Sequence, residues 1–182
     1  LEGFINVDVR PTEAADLVHS CVSFDDFPAG YFDIVYSHAF FEHLTATEEL
    51  ICIQSIKRIL SARGSILFLG IPDFEIIAGA YLQKAKFNYA GKFDLEQVYR
   101  YTHGSPEQGG SDWYYEQLHK SVFDKDRINT LLHQAGYKKY IIFRYAFRDE
   151  YIALNLGFLT LPESYSGRVD ISYVKSVIEG IN

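Results

Sequence analysis

The chain has 182 residues, and its 17 Lys and Arg against 24 Asp and Glu give a formal charge of −7, so it has no broad cationic face for a phosphate backbone and nucleic acid is excluded as the default partner. Its 48% hydrophobic and 16% aromatic residues supply one well-filled core, which excludes intrinsic disorder and fits a single domain. No apolar run reaches the roughly 18 residues that cross a bilayer, and no basic leader precedes a short apolar stretch, so a soluble cytoplasmic protein is expected.

Along the chain, Phe4 to Val9 alternates apolar and polar and meets Arg10-Pro11, which stops a strand at Asp8 or Val9. Ala15 to Val18 reads as a shorter strand. Phe32 to Ser37 is a third, almost wholly apolar, as for a strand covered on both faces. From Thr47 to Leu60 the residues Leu50, Ile51, Ile53, Ile56, Ile59 and Leu60 recur at three- and four-residue steps, the stripe of a helix lying on a sheet, and Gly64 closes that unit. Ser65 to Ile71 is another buried strand, ended by Pro72-Asp73. Residues 75–85 look helical, whereas 86–118 show no clean period and read as an insertion over the sheet's edge. Asp124 is placed to cap a helix whose inner face is Ile128, Leu131 and Leu132 and whose stop is Gly136. Tyr140 to Tyr145 and Tyr151 to Leu156 suit an antiparallel hairpin. Residues 157–182 read as a tail with one amphipathic segment, Ile171 to Ile178.

This order describes an α/β domain with a mostly parallel sheet, in which ligands bind beyond the carboxyl ends of the strands. The residues at those ends are Asp8, Ser20 and Cys21, Ser37 and His38, and Pro72 and Asp73. Asp8 suits paired acceptance from two ribose hydroxyls, or a turn cap. His38, Glu42 and His43 follow the third strand, but HxxxEH lacks the two histidines one helical turn apart of HExxH and offers no third ligand, so no metal is expected. Asp73 suits proton acceptance from a nucleophile or the N-cap of the next helix. Trp113, Tyr114 and Tyr115 suit a sugar ring or lid packing equally. Cys21 and Cys52 lie in different segments without metal-ligand spacing and read as reduced thiols. Methionine is absent even at position 1, so translation is expected to begin upstream of Leu1.

Four pieces, GFINVDV (3–9), FDIVYSHAFFEHL (32–44), IKRILSARGSILFLGIPD (56–73) and HKSVFDKDRINTLLHQAGY (119–137), stand in the order of the class I S-adenosylmethionine-dependent methyltransferases. The chain resembles that family, and most closely a branch of bacterial members of unassigned substrate. The resemblance implies a Rossmann-like, mostly parallel sheet with a terminal antiparallel hairpin. It implies S-adenosylmethionine as cofactor, with Asp8 on the ribose, Ser20 and Cys21 at the adenine, and Ser37 and His38 alongside. Methyl transfer to an oxygen or nitrogen of a small molecule or glycan is the expected reaction, with His43, His119 or Asp73 as the base. Three departures stand out. The family's first strand and glycine-rich loop are missing from this sequence and expected upstream of it. Ser20 falls where many relatives carry aspartate, and Ser61-Ala62-Arg63-Gly64 replaces a Pro-Gly-Gly turn. Residues 1–156 are expected to form the methyltransferase-like domain, with 86–118 as its insertion or lid and 157–182 as its tail. The rival expectations are a degenerate, non-catalytic binding module and, more remotely, a dinucleotide-binding oxidoreductase.

Overall fold

The computed structural model describes residues 3–88 and 91–181. Its strands are β1 (Val7–Asp8), β2 (Leu17–Val18), β3 (Phe32–His38), β4 (Leu60–Pro72), β5 (Tyr140–Tyr145) and β6 (Asn155–Thr160). The helices are α1 (Ala46–Ile59), α2 (Phe74–Leu82), α3 (Leu95–His103), α4 (Tyr114–Gln117), α5 (Lys125–Gln134) and α6 (Ile171–Ile181). β1 and β2 form a parallel pair, and the other strands form a sheet of order β3-β4-β6-β5 in which β3 and β4 are parallel and β6 is antiparallel to both its neighbours.

Strand β4 is the centre of the molecule because its side chains supply both faces. The period of two sends Ile66 and Phe68 to one side, against Ile53 and Ile56 of α1 and Ile128 and Leu132 of α5. It sends Leu67 and Leu69 to the other, against Phe143, Leu159 and Val174 of α6. All of β6 is buried. A third cluster gathers Ile77 and Ala80 of α2 with Phe93 and Leu154, and Val98 and Tyr101 of α3 pack on it. Among the described residues no helix is long and apolar enough to cross a membrane.

Several boundaries differ from the sequence expectation, each for a local reason. The strand expected over Phe4–Val9 is confined to Val7–Asp8, because the Asn6 amide donates to the Asp16 carboxylate (2.8 Å) instead of joining a ladder. Gly64 does not close the helical unit. α1 passes directly into β4 at Leu60, and Gly64 lies within β4 where the pairing jumps from Phe32–Leu60 to Ile34–Ser65. A Cβ there would stand 2.9 Å from the Phe32 carbonyl oxygen, so the bulge needs glycine. The second hairpin strand is Asn155–Thr160 rather than Tyr151–Leu156, since 151–154 turn aside: the Tyr151 amide donates to the Phe87 carbonyl and Leu154 is buried in the third cluster. The rest of β6, from Gly157 to Thr160, and all of α6 follow residue 156. The insertion is not aperiodic throughout, for α3 starts at an Asp94 cap that accepts from the Gln97 amide (3.2 Å).

Candidate active site

A cleft of about 1170 Å³ opens between β1 and β3 and extends past their carboxyl ends. Asp8, Ser20, Cys21, Ser37 and His38, which come from three separate strand ends, all line it. His43 lines it too, with Arg10, Lys120, Glu116 and Gln117, of which the last two carry no sequence signal that singles them out.

Asp8 is part-buried, and its Oδ1 accepts the Arg10 amide (2.8 Å), so it caps its own turn while facing the cleft. The Ser20 hydroxyl accepts from the Val22 amide at 3.3 Å. Burial, with Asp8 nearby, raises the Cys21 thiol to about 11, which keeps it neutral at physiological pH. His38 is seated by Gly70: at φ +78° a Cβ would come within 2.7 Å of the Ala39 amide nitrogen and 3.1 Å of the His38 ring, so glycine lets the end of β3 press against β4. Burial and the Arg148 guanidinium hold His38 below the ordinary imidazole range.

His43 and His119 come from segments far apart in sequence and meet with ring centroids 4.9 Å apart. The short 3-10 turn Phe41–His43 carries Glu42 and His43, and residues 118–121 are laced onto it. The Lys120 and Ser121 amides donate to the Glu42 carbonyl (2.9 and 3.2 Å), and the Ser121 hydroxyl donates to the Leu44 carbonyl (2.8 Å). Burial lowers His43 to about 4, with His119, Lys120 and Arg10 adding to the effect. His119 is lowered as well, chiefly by burial. Both rings are therefore neutral near pH 7, each with one unprotonated nitrogen. Glu42 is 2% exposed, and burial pushes its carboxyl up to about 8.

Asp73 stands apart from these groups. It is fully buried, accepts the Glu75 amide at 3.1 Å as the N-cap of α2, and pairs with the Arg144 guanidinium of β5, which also reaches Glu75. Its carboxylate is occupied in joining α2 to the sheet, and it does not line the cleft. Arg144 was not foreseen, because nothing local links residues 71 positions apart. The aromatic residues of 113–115 sit beside the cleft-lining Glu116 and Gln117, with Tyr115 exposed and Trp113 half-buried.

Among solved structures the chain is similar to a SAM-dependent methyltransferase from Archaeoglobus fulgidus, with a TM-score of 0.56 at 11% identity over 85% of this chain and 74% of that one. It is also similar to a SAM-dependent methyltransferase from Methanosarcina mazei, with a TM-score of 0.49 at 14% identity over 85% of this chain and 78% of that one. The first of these likenesses defines the fold as class I methyltransferase-like, an α/β sheet with parallel and antiparallel strands. The family model described as a methyltransferase domain matches residues 6–68, the stretch from β1 into β4 that carries Asp8, Ser20, Cys21, Ser37 and His38. No curated protein matches. Fold and domain match together bear out the resemblance to class I S-adenosylmethionine-dependent methyltransferases.

Proposed function

We propose that this chain binds S-adenosylmethionine in the cleft beyond β1, β2 and β3 and transfers its methyl group to an oxygen or nitrogen of a small molecule or glycan. One observation carries the reading: five residues selected from three strand ends line one cleft, inside the segment that the methyltransferase model matches. In this reading Asp8 accepts from the ribose hydroxyls and the Ser20 hydroxyl accepts from the adenine amine. Ser37 and His38 border the cofactor, and the neutral Cys21 thiol adds a weakly polar wall. The acceptor approaches from the side of Glu116, Gln117 and Lys120, where the 113–115 aromatics offer flat faces to a ring.

The methyl carbon–sulfur bond breaks as the carbon–oxygen or carbon–nitrogen bond forms, and the sulfonium leaves as a neutral thioether. The protein mainly aligns nucleophile, carbon and sulfur. His43 is the base we assign, since it is the one of the three candidates that lines the cleft and its imidazole is neutral at physiological pH. His119 acts behind it, and Asp73 is assigned to structure. We place the reaction in the cytoplasm.

The competing reading, a methyltransferase-like module that binds a partner without catalysis, rests on Ser20, whose neutral hydroxyl makes a weaker bond than a carboxylate would. Calorimetric titration of S-adenosylhomocysteine separates the two. Saturable one-to-one binding, followed by transfer of labelled methyl groups to a panel of hydroxyl and amine acceptors, is the expected result. No heat at millimolar ligand would overturn the cofactor reading.

A further inference from the structure

Glu42 presents a buried carboxyl group whose Oε2 has no hydrogen-bond partner, and its Oε1 is 3.9 Å from His119 Nε2, beyond hydrogen-bonding distance. A buried polar atom left without a partner is costly, so a fold that keeps one needs something to satisfy it. Facing it are two imidazoles whose tautomers are fixed. His43 Nδ1 lies 3.2 Å from the Leu118 carbonyl and His119 Nδ1 lies 2.9 Å from the Tyr101 carbonyl. A carbonyl only accepts, so each Nδ1 carries the proton and each Nε2 keeps a free lone pair. That arrangement, an imidazole donating from one nitrogen to a backbone carbonyl and lending the other, is how proteins prepare histidines for a metal.

From these observations we propose that Glu42, His43 and His119 form a binding site for a divalent first-row transition metal ion. One donor atom from each of the three lies within 4.8 Å of the others. Ligation at about 2.1 Å in tetrahedral geometry needs donors about 3.4 Å apart, so loading draws the three donors together by up to about 1.4 Å. Two nitrogens and one carboxylate suit zinc, iron or cobalt better than magnesium or calcium, which prefer oxygen alone.

The backbone is built to hold the three together. The His119 amide donates to the His103 carbonyl (3.1 Å), and Gly104 and Leu118 form a bridge. Gly104 has φ +77°, and a Cβ on it would lie 2.6 Å from the Gln117 carbonyl oxygen and 2.8 Å from the His119 ring. Only glycine leaves room for His119 to turn toward Glu42. The His43 side of the triad borders the cleft, so the ion keeps positions open toward bound ligand. Ion binding is read without methyl transfer, but it competes with the base role assigned to His43 above, because one Nε2 lone pair cannot hold the ion and take a proton together. In the loaded protein His43 Nε2 serves the ion and is not a base.

The test is calorimetric titration of chelator-stripped protein with Zn²⁺, Co²⁺ and Mn²⁺, with X-ray absorption on the Co²⁺ form. One ion per chain, with a first shell of two imidazoles and carboxylate oxygen, is expected. Glu42→Gln and His119→Gln should each weaken binding by more than the roughly 10- to 100-fold that loss of an outer partner costs, with circular dichroism confirming that the fold persists. Should either variant fail to fold, the absorption spectrum of the unmutated protein decides. No binding of any of the three ions, affinity unchanged in folded variants, or a first shell without imidazole each overturns the proposal.

Discussion

Asp8 carries two demands on one carboxylate: its Oδ1 holds the Arg10 amide, and the group faces the cleft. Asp8→Ala is expected to weaken S-adenosylhomocysteine binding by about 1.5–3 kcal/mol, the range for hydrogen bonds to a charged group. Calorimetry reads this directly, and an unchanged dissociation constant would confine Asp8 to its turn. Ser20 is the complementary case. Ser20→Asp should tighten binding by up to about tenfold, since a charge-assisted bond is roughly twice as strong as a neutral one. The gain should vanish when inosine replaces adenosine in the ligand, because the amine is then gone; equal gains on both would remove Ser20 from the base.

Two elements answer for the rigidity of the site. α1 begins just after the Phe41–His43 turn, and α5 follows the 118–121 segment laced onto it. They are tied together by Glu49, fully buried, which accepts two bonds of 2.8 Å from Arg127 Nη2. Arg127→Leu leaves that carboxylate unpaired and is expected to cost about 3–5 kcal/mol in chemical denaturation. Adding Glu49→Leu should recover most of the loss. A cost below about 1 kcal/mol for the single variant would mean water already solvates Glu49. The insertion divides in the same physical terms. α3 packs on the Phe93 and Leu154 cluster, so its amides should exchange slowly in every state. α4 packs on none of the three core clusters, and its Glu116 and Gln117 line the cleft. Exchange over residues 114–118 should slow when S-adenosylhomocysteine is bound, while 95–103 stay unchanged. Equal protection of 114–118 with and without ligand would end the idea that this part closes over the cleft.

For the molecule as a whole, burial selects the neutral forms of several groups with alkaline titrations. Cys21 rises to about 11 and Tyr145 to about 12, and burial also raises Cys52, Tyr101 and Tyr137. A folded-state value above the unfolded one means the folded chain holds its proton longer. The stability this gives is complete below the unfolded value and is lost as pH climbs through the folded one. The melting temperature should therefore fall from pH 9 upward, and Cys21→Ala should flatten the part between pH 9 and 11. A melting temperature independent of pH over that range would contradict the burial of these groups.

Periodicity and punctuation, both local properties, were enough to read β3, α1, β5 and α5 from the sequence, because buried strands and amphipathic helices write their environment into residue spacing. The Asp124 cap and the Gly136 stop, at φ +78°, were legible for the same reason. The Asp94 cap with Leu95 and Val98 gave an equivalent signal for α3, hidden by the Gly- and Tyr-rich residues around it. The strand ends that converge on the cleft followed from the rule that parallel sheets gather their loops on one side. The placement of β6 at 155–160 was not legible, because 151–154 and 155–160 are both apolar and only packing against Phe93 or against β4 tells them apart. Arg144 beside Asp73, Arg127 beside Glu49 and His119 beside Glu42 were equally invisible, since charge pairing over 70 residues of chain leaves no mark on spacing. The HxxxEH stretch supplied two of three donors to the proposed metal site, and only the lacing of residues 118–121 onto the Phe41–His43 turn brings the third. Local order is set by which neighbours share a face; partners across the fold are set by which segments the buried sheet brings together, and that decision exists only in three dimensions.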